Sequence, residues 1–265
     1  MTLIDHRNAR TPRTHSKLLN CIRSNSGQAS ALLLITLLAG CQSTSSAQDQ
    51  NPAELLLTRS LHYHDPAGMW GQEPTLITWT STRPSGEVSY VFKVEFKANG
   101  DFVMHGTRAG HELEYMVVGD TVRASVDGHT ELDDDVRKRM GLRKGKELFW
   151  RNYVGFLGGF PMCLPGAEAQ IGPKVTETEL DGQAVLAFDV RFDPEVGDDT
   201  YTFYFEPDSA RLVGCRFYWN GPKEDGETIL YEGESQVGSL RLPRFRRWYT
   251  NAGNRFLGTD EIAAW

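Results

Sequence analysis

The chain has 265 residues, with 28 Lys or Arg against 35 Asp or Glu, a formal net charge of −7 and 40% hydrophobic residues. That balance argues against nucleic-acid binding, which needs a basic face to neutralise phosphates. The length suits one sizeable domain.

The first forty residues read as a targeting segment. Arg7, Arg10, Arg13, Lys17 and Arg23 stand against Asp5 alone, and the apolar run ALLLITLL follows. This order of basic region, short apolar core and small residues is that of a secretory signal. The run is far below the roughly 20 residues that a spanning helix needs. Leu38-Ala39-Gly40-Cys41 matches the lipobox of bacterial lipoprotein precursors, so Cys41 is the expected acylation site. Two or three acyl chains hold a protein to a bilayer stably, where one does so marginally. Gln42, rather than Asp, follows the cysteine, which by enterobacterial sorting implies the outer membrane, with a periplasm-facing orientation expected. Removing residues 1–40 takes away five of 28 basic and one of 35 acidic residues, leaving 23 against 34 and a net charge of −11.

Residues 41–51 form a polar tether, and 52–265 the single expected domain. NPAELLLTRSLHYH predicts a helix with Asn51 as cap, Pro52 at the first position and Glu54 in the first turn. Ala53, Leu57, Leu61 and His64 would share its inner face. Asp65-Pro66-Ala67-Gly68 has the composition of a type I turn, and Pro66 disfavours helix at Asp65. His62 and His64 then lie about 200° apart at helical spacing, too divergent to grip one metal ion. Read as extended chain, the same residues would share a face. A hydrolase rests only on His64 and Asp65, since HExxH and GxSxG are both missing from the sequence. No catalytic residue, metal or cofactor is expected.

From Thr75 the period changes to two. Val88, Tyr90, Phe92, Val94 and Phe96 occupy one face, and Asn99-Gly100 then signals a hairpin. Gly119-Asp120, Asp181-Gly182 and Pro207-Asp208 mark further turns. Two helices interrupt the strands. ELDDDVRKRMG has acidic residues first and basic ones last, the order the helix dipole favours, so its aspartates read as a helix start rather than a calcium loop. GKELFWRNYVGFLGGFPM places Leu148, Phe149, Tyr153, Phe156 and Leu157 at helical spacing and stops at Gly158-Gly159 and Pro161. The predicted fold class is α+β: an antiparallel sheet of ten or eleven strands, mainly a meander, with one face covered by helices.

YHDPAGMW, GGFPMCL, VGDDTYTFYFEPDS and RWYTNAGNRFLGTD together resemble a family of bacterial lipoproteins with no established activity. The resemblance runs from about Pro52 to the C-terminus. Its domain is similar to the lipoprotein carriers LolA and LolB, which implies a half-barrel lidded by helices with an apolar cavity between. In that family the position of Cys163 is usually basic, so the thiol is this chain's own feature.

Two readings of the aromatic residues stay open. They fill a core, or some of them line a cavity for an acyl chain or other apolar ligand. The candidate ligand contacts are His64, Trp70, Phe92, Trp150, Tyr153, Met162, Trp219 and Trp248. Cys163 and Cys215 are the two cysteines left once Cys41 is acylated, in a compartment that permits disulfides. A bridge would close a loop of about 50 residues, worth on the order of 3–4 kcal/mol. Its competitor is two separately buried thiols. The expected function is a non-enzymatic lipoprotein binding a lipid or acyl chain. The alternative is an envelope scaffold with a filled core, whose protein partner the sequence does not name.

Overall fold

The computed structural model describes residues 51–119, 121–166, 169–192, 200–218 and 225–265. The expected signal segment, Cys41, the expected tether as far as Gln50, Asp120 of the expected turn, and Trp219 lie outside the described residues.

Helix α1 (Pro52–His64) begins as its sequence dictates. Asn51 Oδ1 accepts the Ala53 N–H at 3.0 Å, with Pro52 at the first position. Its buried side is Ala53, Leu56, Leu57, Ser60 and His64, while Leu61 is half-buried, a face rotated slightly from the expected one. Five strands follow: β1 (Thr75–Thr82), β2 (Val88–Phe96), β3 (Phe102–Arg108), β4 (His111–Val118) and β5 (Thr121–Val126). Helices α2 (Asp134–Met140) and α3 (Phe149–Gly158) come next. The remaining strands are β6 (Gln170–Ile171), β7 (Thr176–Leu180), β8 (Gln183–Arg191), β9 (Thr200–Phe205), β10 (Leu212–Tyr218), β11 (Glu227–Val237), β12 (Leu240–Thr250) and β13 (Phe256–Ala264).

All pairs are antiparallel, in the order β5-β4-β3-β2-β1-β13-β12-β11-β10-β9-β8-β6, with β7 on β8 and the sheet open. Among the described residues the sheet has thirteen strands, against the ten or eleven expected. β1 and β13 pair with each other, joining two meanders in mid-sheet. β13 reads weakly as a strand because Gly258, Asp260 and Glu261 interrupt its apolar positions. The turns follow local chemistry. Gly100 (φ 85°) closes the β2–β3 loop as its N–H bonds Lys97 O, and Asp181 and Gly182 both take positive φ between β7 and β8.

β5 and β6 sit at opposite edges, so the segment joining them carries α2 and α3 across the whole covered face. Trp150 and Tyr153 of α3 touch Phe92 on β2 and Trp79 on β1, while Phe156 touches Tyr201 on β9. In a flat sheet the six strand spacings from β2 to β9 would span about 29 Å. Trp150 and Phe156 are only about 9 Å apart along a helix. The sheet therefore curls around α3. This explains why α3 is buried almost all round, Arg151 and Asn152 included, rather than along the single expected stripe. Among the described residues, no helix is long and apolar enough to cross a membrane.

Candidate functional site

The stretch around His64 is a helix end followed by a turn. α1 runs through both histidines, leaving His62 exposed and His64 fully buried. The expected turn closes behind them, with the Gly68 N–H donating to Asp65 O at 3.2 Å. His64 Nε2 accepts the Leu212 N–H at 3.0 Å, so Nδ1 carries the proton it shares with Arg241 O at 2.6 Å. With both nitrogens engaged by backbone, the ring has no polar atom left for a ligand. Asp65 is committed in the same way, its carboxylate accepting the Met69 and Trp70 N–H groups at 2.8 Å each. Among the described residues, no three metal-ligating side chains gather.

Burial holds the His64 pKa below its ordinary value of 6.5, the dominant effect over its bond to Arg241 O. The unfolded chain therefore takes up a proton first as pH falls. Stability is full above about pH 6.5 and declines as pH drops toward the lowered folded value. Thermal melts at about pH 7.5 and about pH 5.5 should show a lower melting temperature in the acid. That difference should shrink in His64→Gln.

The candidate ligand contacts divide by place. Phe92, Trp150 and Tyr153 meet in one cluster with Tyr90, Trp79 and Phe149, at centroid distances of 4.8–6.3 Å. Trp70 is elsewhere, 5.7 Å from Phe96 and seated over Gly159, where a Cβ would lie 2.6 Å from its ring. Met162 is buried beyond the end of α3. Trp248 is half-buried beside Phe217 and donates Nε1–H to Asp260 Oδ2 at 2.9 Å.

Of the two readings of Cys163 and Cys215, the structure has two separately buried thiols rather than a bridge. The Cys163 thiol turns back to Phe156 O on α3 at 3.6 Å, and the Cys215 thiol meets the Tyr231 hydroxyl at 3.4 Å. Burial pushes the Cys215 thiol up to about 12, which keeps it protonated and unreactive.

What the sequence reading missed is a polar row across the covered face. Register places Arg108, Tyr90, Ser81, Asp260, Arg246 and Tyr231 opposite one another on β3, β2, β1, β13, β12 and β11. All but Arg108 are buried. Arg246 is 1% exposed, its guanidinium 5.2 Å from the Trp79 ring centroid and 5.5 Å from that of Tyr231. Nη1 donates to Pro243 O at 2.7 Å, but Nε finds no hydrogen-bond partner among the described residues. Trp79 Nε1, fully buried beside it, finds none either. Each buried donor left so costs about 1–3 kcal/mol, and a charged one more. A small cleft of about 30 Å³ at the Trp248 end, lined by Ser81, Glu227, Gly258 and Asp260 among others, has room for one or two waters. Larger open grooves of about 360 and 330 Å³ lie at the β4–β5 edge.

A family model matches residues 28–263. The chain belongs to a family of unknown function, DUF6503. No curated protein matches this DUF6503 chain. Among solved structures it is similar to a LolA-superfamily protein from Nitrosomonas europaea, at 12% identity and a TM-score of 0.48, covering 79% of this chain and 90% of that one. It is also similar to a DUF1329-family protein from Desulfovibrio piger, at 8% identity and a TM-score of 0.44, covering 80% and 91%. The open, helix-covered antiparallel sheet expected from the resemblance is the architecture this DUF6503 chain adopts.

Proposed function

We propose that the chain is an acyl-anchored envelope lipoprotein, held to the outer membrane through Cys41, that binds an apolar or amphiphilic ligand between sheet and helices without covalent chemistry. The observation that carries this reading is the covered face itself. Aromatic side chains surround two buried donors that lack partners among the described residues, an interior with both apolar area and unmet polar capacity. α3 has no side-chain cap at its start and ends at Gly158, with Gly159 following, so side-chain packing holds it to the sheet. A ligand would displace that packing. The second reading, a scaffold with a filled core, draws on the close ring contacts and on the open grooves at the β4–β5 edge.

Native mass spectrometry of the full chain purified from envelopes separates the two. Co-purifying lipid at a fixed stoichiometry supports the first reading, and bare protein supports the second. For the anchor, Cys41→Ser should move most of the protein out of the outer-membrane fraction and abolish palmitate labelling. A variant that still fractionates and labels as wild type would refute acylation at Cys41.

A further inference from the structure

The centre of the covered face holds a buried arginine among aromatic rings and the polar row described above. Arginine stays protonated in proteins, so burial at Arg246 places a cation rather than a neutral donor beneath α3. Burial lowers the Arg246 pKa, and Tyr231 and then Asp260, which stands opposite it in register, work against that, while Asp260 Oδ2 also accepts the Trp248 Nε1–H. The other groups facing Arg246 are Tyr231, whose hydroxyl meets the Cys215 thiol, and the rings of Trp79 and Tyr153. Its neighbours on the strand behave differently: Arg244 pairs with Glu261 at 2.8 Å and Arg247 with Glu232 at 2.9 Å, all at the surface. Of these three arginines, Arg246 alone is buried.

We infer that Arg246 and Trp79 form the seat for the acidic head group, carboxylate or phosphate monoester, of an amphiphile bound beneath α3. This rests on the ligand-binding reading above and deepens it. The guanidinium Nε–H and the indole N–H would supply charge-assisted and neutral hydrogen bonds to the anion, and the surrounding rings would contact its chain.

The test is photo-crosslinking of the full chain in isolated envelopes. Three diazirine probes are used: a long-chain fatty acid, its methyl ester and an alkyl phosphate of equal length. Adducts are mapped to peptides of β1, α3 and β12. The acid or the phosphate should label these peptides at least about tenfold more than the ester, and the better of the two identifies the head group. Arg246→Met should bring labelling down to the ester's level, and Arg246→Lys should retain part of it. Trp79→Phe, which keeps a ring and removes one donor, is the second variant and should lower labelling several-fold even if Arg246→Met does not fold. Equal labelling by acid and ester, or unchanged labelling in the variants, overturns the anion seat while leaving apolar binding intact. No labelling of these peptides by any probe overturns both.

Discussion

His64→Ala should lower the free energy of unfolding by about 4 kcal/mol, measured by urea denaturation. The imidazole is fully buried and bridges two strands from the end of α1, taking the Leu212 N–H and giving a proton to Arg241 O. Alanine removes both bonds, deprives the buried Leu212 N–H and the half-buried Arg241 carbonyl of that partner, and opens a cavity of ring size. His64→Gln, whose amide can serve one of the two groups, should recover about half of the loss. Arg59 would still tie α1 to Pro207 O and Asp208 O, but those bonds are exposed and contribute little. A loss below about 1 kcal/mol would mean that the bridge does not hold α1 to the sheet.

The parts of this molecule that are legible in the sequence are those decided locally. Asn51 and Pro52 start a helix wherever they stand before a helical pattern, and Asp181-Gly182 turns a chain whatever it turns toward. The inward face of β2 is legible because Tyr90, Phe92, Val94 and Phe96 alternate without interruption, only Val88 at its start being exposed. Arg246 is not legible. Arg244, Arg246 and Arg247 crowd four positions of one strand, and the strand's alternation of burial breaks at Pro243 and Arg244. Only the packed structure shows that Arg246 is the one turned inward. The curl of the sheet, expected only through the resemblance, is not legible in the strand pattern itself, because it depends on β1 pairing with β13, the two ends of the folded domain. That same curl is what buries Arg151 and Asn152 on the far side of α3, against the single stripe that helical spacing implies.

Trp150→Ala should cost about 3–5 kcal/mol, the range for removing a large buried aromatic side chain. Trp150 is 2% exposed and joins three elements. Its ring lies 5.1 Å from Phe92 and 5.7 Å from Tyr90 on β2, and 5.0 Å from Phe149 on its own helix. Its Nε1–H donates to Met140 O at 2.8 Å, fixing the end of α2. Gly141 (φ 75°) makes that approach possible, since a Cβ there would lie 3.0 Å from the indole nitrogen. Alanine therefore loses the ring contacts, orphans the Met140 carbonyl and leaves a void where both helices meet the sheet. The void is apolar, so an indole-sized molecule should fill it and restore part of the lost stability in proportion to RT ln(1 + [L]/Kd). Trp248→Ala is the comparison: the side chain is half-buried and should cost roughly half as much. If Trp150→Ala is no costlier than Trp248→Ala and indole stabilises neither variant, α2 and α3 are not packed on β2 as described, and the seat beneath α3 loses its cover.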